Sequence, residues 1–486
     1  MRIPIDRNSE IPLYRQIEQY FRQAILSGSL TAQTRLPASR TLAHDLGVNR
    51  ITIETAYGEL EADGLVYTHP GSGVYVLPMP AQPARQPAPI DALWPLWQQE
   101  LALQPAEASP RVPAASPGCI DFSPGGGASD LFPVEEFRKV LQNILRREGN
   151  AALEYGDPCG YVPLRATIAQ VLASQGLQTS PDNVLITSGS QQAIALVCQT
   201  LLRPGDCILV EAPTYASGLE LFHGLGLKVI GVPLDENGLQ MDALETALQQ
   251  HHPRLIYTIP NFHNPTGVCL SAARRRTLLE LSRRHNAAVL EDDFVGDLRY
   301  EGRALPTLKS LDPGGQVIYV STFSKMLMPG LRVGFMVADG PALERLARLK
   351  RTTDLATSSF IQRALENYVT IGRYQAHLRR SCLLYRRRRD AALQAVRRWL
   401  PEQTRWTAPQ GGLFLWLRLP PGMDSARLLP LALSAGVSFA PGRSFFADGC
   451  SGAEALRLNF TLLPPEQIDE GIQRLARALD QLSRSD

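Results

Sequence analysis

From Pro12 onward, Leu13, Ile17, Tyr20, Phe21, Ala24 and Ile25 recur at the three-and-four spacing of one helix face, and Ser27-Gly28 ends the pattern. LPASRTLAHDLGVNRITIETAYGELEADG then holds two short helical patterns broken at Leu46-Gly47, the second opening on Asn49 as an N-cap. In that second pattern Ile53, Ala56, Tyr57 and Leu60 form the stripe to be buried, which leaves Arg50, Thr52, Glu54 and Thr55 outside. The period then falls to two: Val66/Tyr67 and Val74/Tyr75 flank Pro-Gly-Ser-Gly and predict a two-stranded hairpin. Helix, helix, turn, helix, hairpin is the order of a winged helix-turn-helix, whose recognition helix enters a DNA major groove.

The pattern stops at residue 78. Ten of the forty residues from Pro78 to Pro117 are proline, so 78–117 reads as a stiff linker between a head, 1–77, and a large block, 118–486. Inside it, ALWPLWQQELAL (Ala92 to Leu103) is too apolar for a free tether. It predicts either a short docked helix or local collapse. The block alternates helical stretches with short β-branched runs: NVLITSG, CILVEAPTY, LKVIGVPL, LIYTIPN, AAVLEDDF and VIYVSTFS. Each run ends in polar or glycine residues. That is the signature of an α/β fold around a mostly parallel sheet, with ligands beyond the strand carboxyl ends.

Composition narrows the class. With 44% hydrophobic and 20% charged residues among 486, and no long uncharged apolar run, the expectation is a soluble chain without a membrane span. MRIPIDRNSE has no secretory apolar core, and the seven cysteines are scattered without CxxC spacing, so the reading is cytoplasmic, with reduced thiols and no zinc site. The net charge of +2 points to no partner.

Charge type says more than charge sum. The chain has five lysines against forty-four arginines, and one of the five is Lys325 in STFSKMLMPGLRVG. A Schiff base requires a primary amine, which guanidinium cannot supply. Asp292, ending AAVLEDDF, can keep a pyridine nitrogen protonated. Asn264 of PNFHNPTG can donate to a phenolate. Ser188, Gly189 and Ser190 of LITSGSQQAI form a strand–turn–helix start suited to phosphate, and Thr322, Ser324 and Arg332 can add ligands to it. Tyr215 offers a flat face. Each feature has a plainer reading: NPTG as a turn, SGS as a helix cap, EDD as a solvated strand end. Together they describe pyridoxal 5'-phosphate.

PLYRQIEQYFRQAILSGSL, RLPASRTLAHDLGVNRITIETAYGELEADGL and HPGSGVYV resemble the GntR-type DNA-binding domain of bacterial regulators. By position the resemblance implies DNA contacts from Arg40, Asn49, Arg50 and Thr52, with His69 and Gly71 at the wing tip. Arg50 is the candidate for a bidentate guanine contact, its alternative being a solvated surface arginine, and Glu54 suits a surface ion pair better than a cytosine. YGDPCGYVPLR, NPTG, EDDF, SxxK and RLNF resemble a fold-type-I, class I/II aminotransferase. That likeness implies Lys325 as the Schiff-base lysine, Arg457 as the carboxylate fork or else a structural ion pair, and Tyr155 reaching a phosphate in the partner subunit. The combined layout is similar to the MocR/GabR family of pyridoxal-phosphate-dependent transcriptional regulators, which implies a head-to-tail homodimer on operator DNA and an amino compound or the cofactor itself as effector.

Two features bear on that reading. Residues 1–76 hold seven arginines, no lysine and eight acids, a formal −1, so a single head should bind DNA weakly and two copies are expected. Phe294 stands where the family usually has Tyr. It cannot donate to the cofactor phenolate, which leaves Asn264 as the main donor, should raise the Schiff-base pKa and argues against full transaminase competence. The leading expectation is a regulator. The alternatives are an aminotransferase with an autoregulatory or localising head, and a cofactor-free dimerisation scaffold.

Overall fold

The computed structural model describes residues 3–77 apart from 8, 10, 27, 28 and 70, then 95, 98 and 118–485. Apart from Pro95 and Gln98, the segment Ala92–Leu103, expected as a short docked helix or as local collapse, lies outside the described residues. The chain divides into two units, Met1–Ala106 and Glu107–Asp486.

In the first unit α1 (Leu13–Leu26), α2 (Ser39–Leu46) and α3 (Arg50–Ala62) precede β1 (Val66–His69) and β2 (Gly73–Val76). Gly47 ends α2 in the left-handed region at φ 61°, where a side chain would be strained. Asn49 then starts α3, its side chain accepting from the Ile51 amide at 3.0 Å. Ile17 and Phe21 of α1 meet Ile53, Ala56 and Leu60 of α3, all fully buried. Each large side chain there contributes about 1.5–3 kcal/mol of burial. The hairpin pairs Val66 with Val76 and His69 with Gly73, and Tyr67 stacks on Tyr75 at 5.7 Å.

The second unit is built on an eight-stranded sheet. After β3 (Ile120–Asp121), its strands are β4 (Val184–Thr187), β5 (Cys207–Ala212), β6 (Lys228–Asp235), β7 (Gly238–Leu239), β8 (Leu255–Thr258), β9 (Ala288–Asp292), β10 (Val317–Thr322) and β11 (Gly334–Val337). Their order is β4-β11-β10-β9-β8-β5-β6-β7, with β11 and β7 antiparallel to their neighbours. β4, β5, β8, β9 and β10 are buried almost throughout, as strands covered on both faces must be. The remaining strands are β12 (Arg405–Trp406), β13 (Phe414–Arg418), β14 (Val437–Ser438), β15 (Ala440–Pro441) and β16 (Ala455–Asn459). Of these, β12-β13-β16-β15 form a second, antiparallel sheet, and β14 pairs with β3. A separate core around Leu415, Leu458, Ile472 and Leu479 joins that sheet to the terminal helix Pro465–Ser485.

Candidate functional site

Five strands deliver their carboxyl ends to one region. β10 runs into Lys325, β9 ends at Asp292, β5 leads to Tyr215, β8 leads to Asn264, and β4 leads through Ser188 and Gly189 to the helix Ser190–Leu201. Lys325, Asp292, Asn264, Tyr215 and Ser190 line one cavity of about 450 Å³, together with Phe294 and, from the second sheet, Arg457 of β16.

Asp292 is 3% exposed. Its Oδ2 accepts from the Tyr257 hydroxyl at 2.8 Å, while Oδ1 is buried without a partner. Burial pushes its pKa up to about 7, with repulsion from Asp293 and Glu211 adding, and the Tyr257 hydrogen bond and Lys325 opposing. A buried carboxylate oxygen left unpaired calls for a cationic N–H against it. Lys325 is shifted the other way. Burial lowers its pKa, and Arg457 and Arg332 lower it further. A larger share of a neutral, nucleophilic amine follows.

Arg457 lies 4.3 Å above the Phe414 ring and 5.0 Å from that of Phe445. Its Nη1 donates to Asn264 Oδ1 at 3.1 Å and its Nη2 to the Ser123 carbonyl at 2.5 Å, while Nε is buried and unpartnered. Burial pulls this guanidinium down to about 10, which leaves it charged at neutral pH. No carboxylate pairs with it among the described residues, so the structural ion pair is not its role there. Asn264 spends its oxygen on Arg457, which leaves its amide N–H groups for another acceptor.

Gly189 has φ 106°, and a Cβ there would come within 2.6 Å of Arg332 Nη2. Arg332 in turn donates to the Ser188 carbonyl at 2.8 Å, so arginine and turn are fitted to each other beside the first amides of the helix. The Ser188 amide itself is taken by Gln192 Oε1 at 2.7 Å. Ser324 Oγ is buried and unpartnered. Thr322 differs from the expectation of a phosphate ligand: its hydroxyl donates to the Val333 carbonyl at 3.1 Å and accepts from the Ser324 amide, so it braces the loop that carries Lys325. Tyr155 lies outside the cavity of its own chain, 89% exposed beside Ser358 and Phe360. These observations fit pyridoxal phosphate: an orphaned carboxylate oxygen, a depressed primary amine and a glycine cradle that a Cβ would fill.

In the head, Arg40, Asn49, Arg50, His69 and Gly71 are exposed and Thr52 is half-buried. Arg50 Nε pairs with Glu54 at 2.6 Å on the α3 surface. Sequence reasoning missed Tyr257, which orients Asp292, as well as the Ser123 carbonyl and the Phe414 and Phe445 rings that hold Arg457. Their only signal was apolar patterning or a loop, which core residues share. It also missed Glu220 and Ser217, which line the cavity.

Two family models match. Aminotransferase class I and II covers residues 123–475, and the bacterial regulatory proteins of the gntR family cover 13–76. The uncharacterized HTH-type transcriptional regulator YisV of Bacillus subtilis is 32% identical over 490 residues, spanning 99% of this chain and 98% of its own. The probable rhizopine catabolism regulatory protein MocR of Rhizobium meliloti is 31% identical over 487 residues, 99% of this chain and 96% of its own. Among solved structures, LysN, the alpha-aminoadipate aminotransferase of Thermus thermophilus complexed with N-(5'-phosphopyridoxyl)-L-leucine, is 39% identical with a TM-score of 0.73 over 76% of this chain and 94% of that one. Full-length matches to regulators, with one family model on each unit, identify the chain as a member of the MocR-type family of helix-turn-helix transcriptional regulators with an aminotransferase-fold body.

Proposed function

We propose that this regulator binds operator DNA as a homodimer and responds to an amino compound captured with pyridoxal phosphate at Lys325. The observation that carries the reading is the unpartnered, buried Oδ1 of Asp292 in the same cavity as the depressed amine of Lys325. When bound, the cofactor supplies an aldehyde that captures primary amines and a pyridine ring that withdraws electrons. Lys325 contributes the resident amine. Asp292, oriented by Tyr257, holds a proton on the ring nitrogen. The Gly189–Ser190 amides at the helix N-terminus, with Arg332 fixed against Ser188, hold the phosphate. Arg457 presents Nε and its remaining N–H groups to an effector carboxylate. Phe294 closes the cavity wall without offering a hydrogen bond.

Two copies are inferred from the head's formal −1, too little charge for one head to hold DNA on phosphate contacts. Tyr155, exposed and not among the residues lining its own cavity, suits a phosphate in the partner subunit. A second reading, a working aminotransferase, draws on 40% identity to the 2-aminoadipate transaminase of Thermus thermophilus over 75% of this chain. Purified protein should carry a visible absorbance band that Lys325→Ala abolishes, and operator affinity should change on adding cofactor or amine. Unchanged DNA affinity with fast turnover of amino and keto acids would establish the second reading instead.

A further inference from the structure

Four charged side chains line the cavity, and the reading above employs three of them: Lys325, Asp292 and Arg457. The fourth is Glu220. It sits on the helix Ala216–Gly224, which begins directly after Tyr215. Ser217 and Glu220 are three residues apart, so they share one helix face, and both line the cavity. Glu220 is solvent-exposed, which puts it at the mouth rather than the floor, and it forms no ion pair among the described residues. Ala440 and Ser444, which also line the cavity, carry no charge that could pair with it.

Resting on the cofactor reading, we propose that Glu220 selects an effector with a second, distal ammonium group: a diamino monocarboxylic acid. Its carboxylate lies on Arg457, its reacting amine at Lys325 and its distal ammonium at Glu220 with Ser217 beside it. An acidic side chain meets the Glu220 charge at the mouth and is disfavoured. A neutral one gains nothing there. Because the pair is partly solvated, the preference is modest, up to about fivefold, and it falls as salt rises.

The test is titration of the cofactor-loaded, full-length protein with L-lysine and L-ornithine, with their uncharged counterparts L-norleucine and L-norvaline, and with L-glutamate. It is read by cofactor absorbance and, independently, by the shift in thermal midpoint. The expected result is tighter binding of the diamino acids by about threefold to fivefold over the uncharged pair. That margin should be lost in Glu220→Gln, and Glu220→Lys should favour L-glutamate. Equal affinities in the parent protein, or a margin that survives in a folded Glu220→Gln, overturn the proposal. Failure of the underlying reading looks different: no absorbance band is present, or none of the compounds perturbs it, and the proposal falls with it.

Discussion

Replacing Asp292 by Asn separates what this carboxylate costs the empty fold from what it contributes to holding a cofactor. In the cofactor-free protein its pKa stands at about 7 against an ordinary 3.8, chiefly through burial. A raised carboxyl pKa means that the folded state binds the proton more tightly than the unfolded chain. The cost is therefore absent below the unfolded pKa, grows as pH rises, and is complete above the folded one. The difference, 7 − 3.8, is about 3 units, or about 4 kcal/mol as a ceiling at 1.36 kcal/mol per unit. Asparagine carries no charge, and its oxygen can still accept the Tyr257 hydroxyl that Oδ2 accepts at 2.8 Å. Cofactor-free Asp292→Asn should thus be more stable than the parent at pH 8, and its advantage should shrink by about 2 kcal/mol on going to pH 5.5. The assay is urea unfolding at both pH values, followed by fluorescence of Trp399, Trp406 and Trp416. Added pyridoxal phosphate should reverse the order, because only the parent stabilises a charged ring nitrogen. Parallel pH profiles would refute the assigned cost, and undiminished cofactor affinity in the variant would refute the assigned role.

Other variants probe separate parts of the chain. Gly189→Ala puts a methyl 2.6 Å from Arg332 Nη2 at a positive φ, so cofactor affinity by equilibrium titration should fall at least about tenfold while the fold loses about 1–3 kcal/mol. Asn49→Ala removes the cap on the Ile51 amide and should cost the head about 1 kcal/mol in denaturant unfolding. Arg50→Ala should cost about 1–3 kcal/mol of operator discrimination in gel-shift titrations. Glu54→Ala frees that arginine from a surface pair worth at most about 0.5 kcal/mol, so it should lower stability by no more than that and not weaken DNA binding.

Much of this was legible in sequence because local signals agreed with the fold. Asn49 caps the helix it was expected to open, and the stripe Ile53, Ala56, Tyr57, Leu60 is buried. The β-branched runs form the central strands, with Asp292 and Thr322 at strand ends. The rest depends on pairings that no local pattern carries. Strand β11 inserts antiparallel between β4 and β10, so Gly334 packs against the backbone of Gly189 although 145 positions separate them in the sequence. Tyr257 reads as one more core aromatic until β8 lies beside β9 and its hydroxyl meets Asp292. Thr322 shows the converse: a polar residue beside the lysine invites a ligand role, but a hydroxyl on a buried strand first satisfies the nearest carbonyl.

The attachment of residues 123–126 has a mechanical consequence. Arg457 grips the Ser123 carbonyl, and two residues along the same strand Asn459 donates to the carbonyls of Pro124 and Gly126, each at 2.7 Å. These residues follow directly on β3, which pairs with β14. The guanidinium that would take an effector's carboxylate thus also fastens the segment that follows β3. A ligand competing for Arg457 would loosen residues 123–126 locally, because β3 just before them is held separately on β14 by the Ile120 and Phe122 amides.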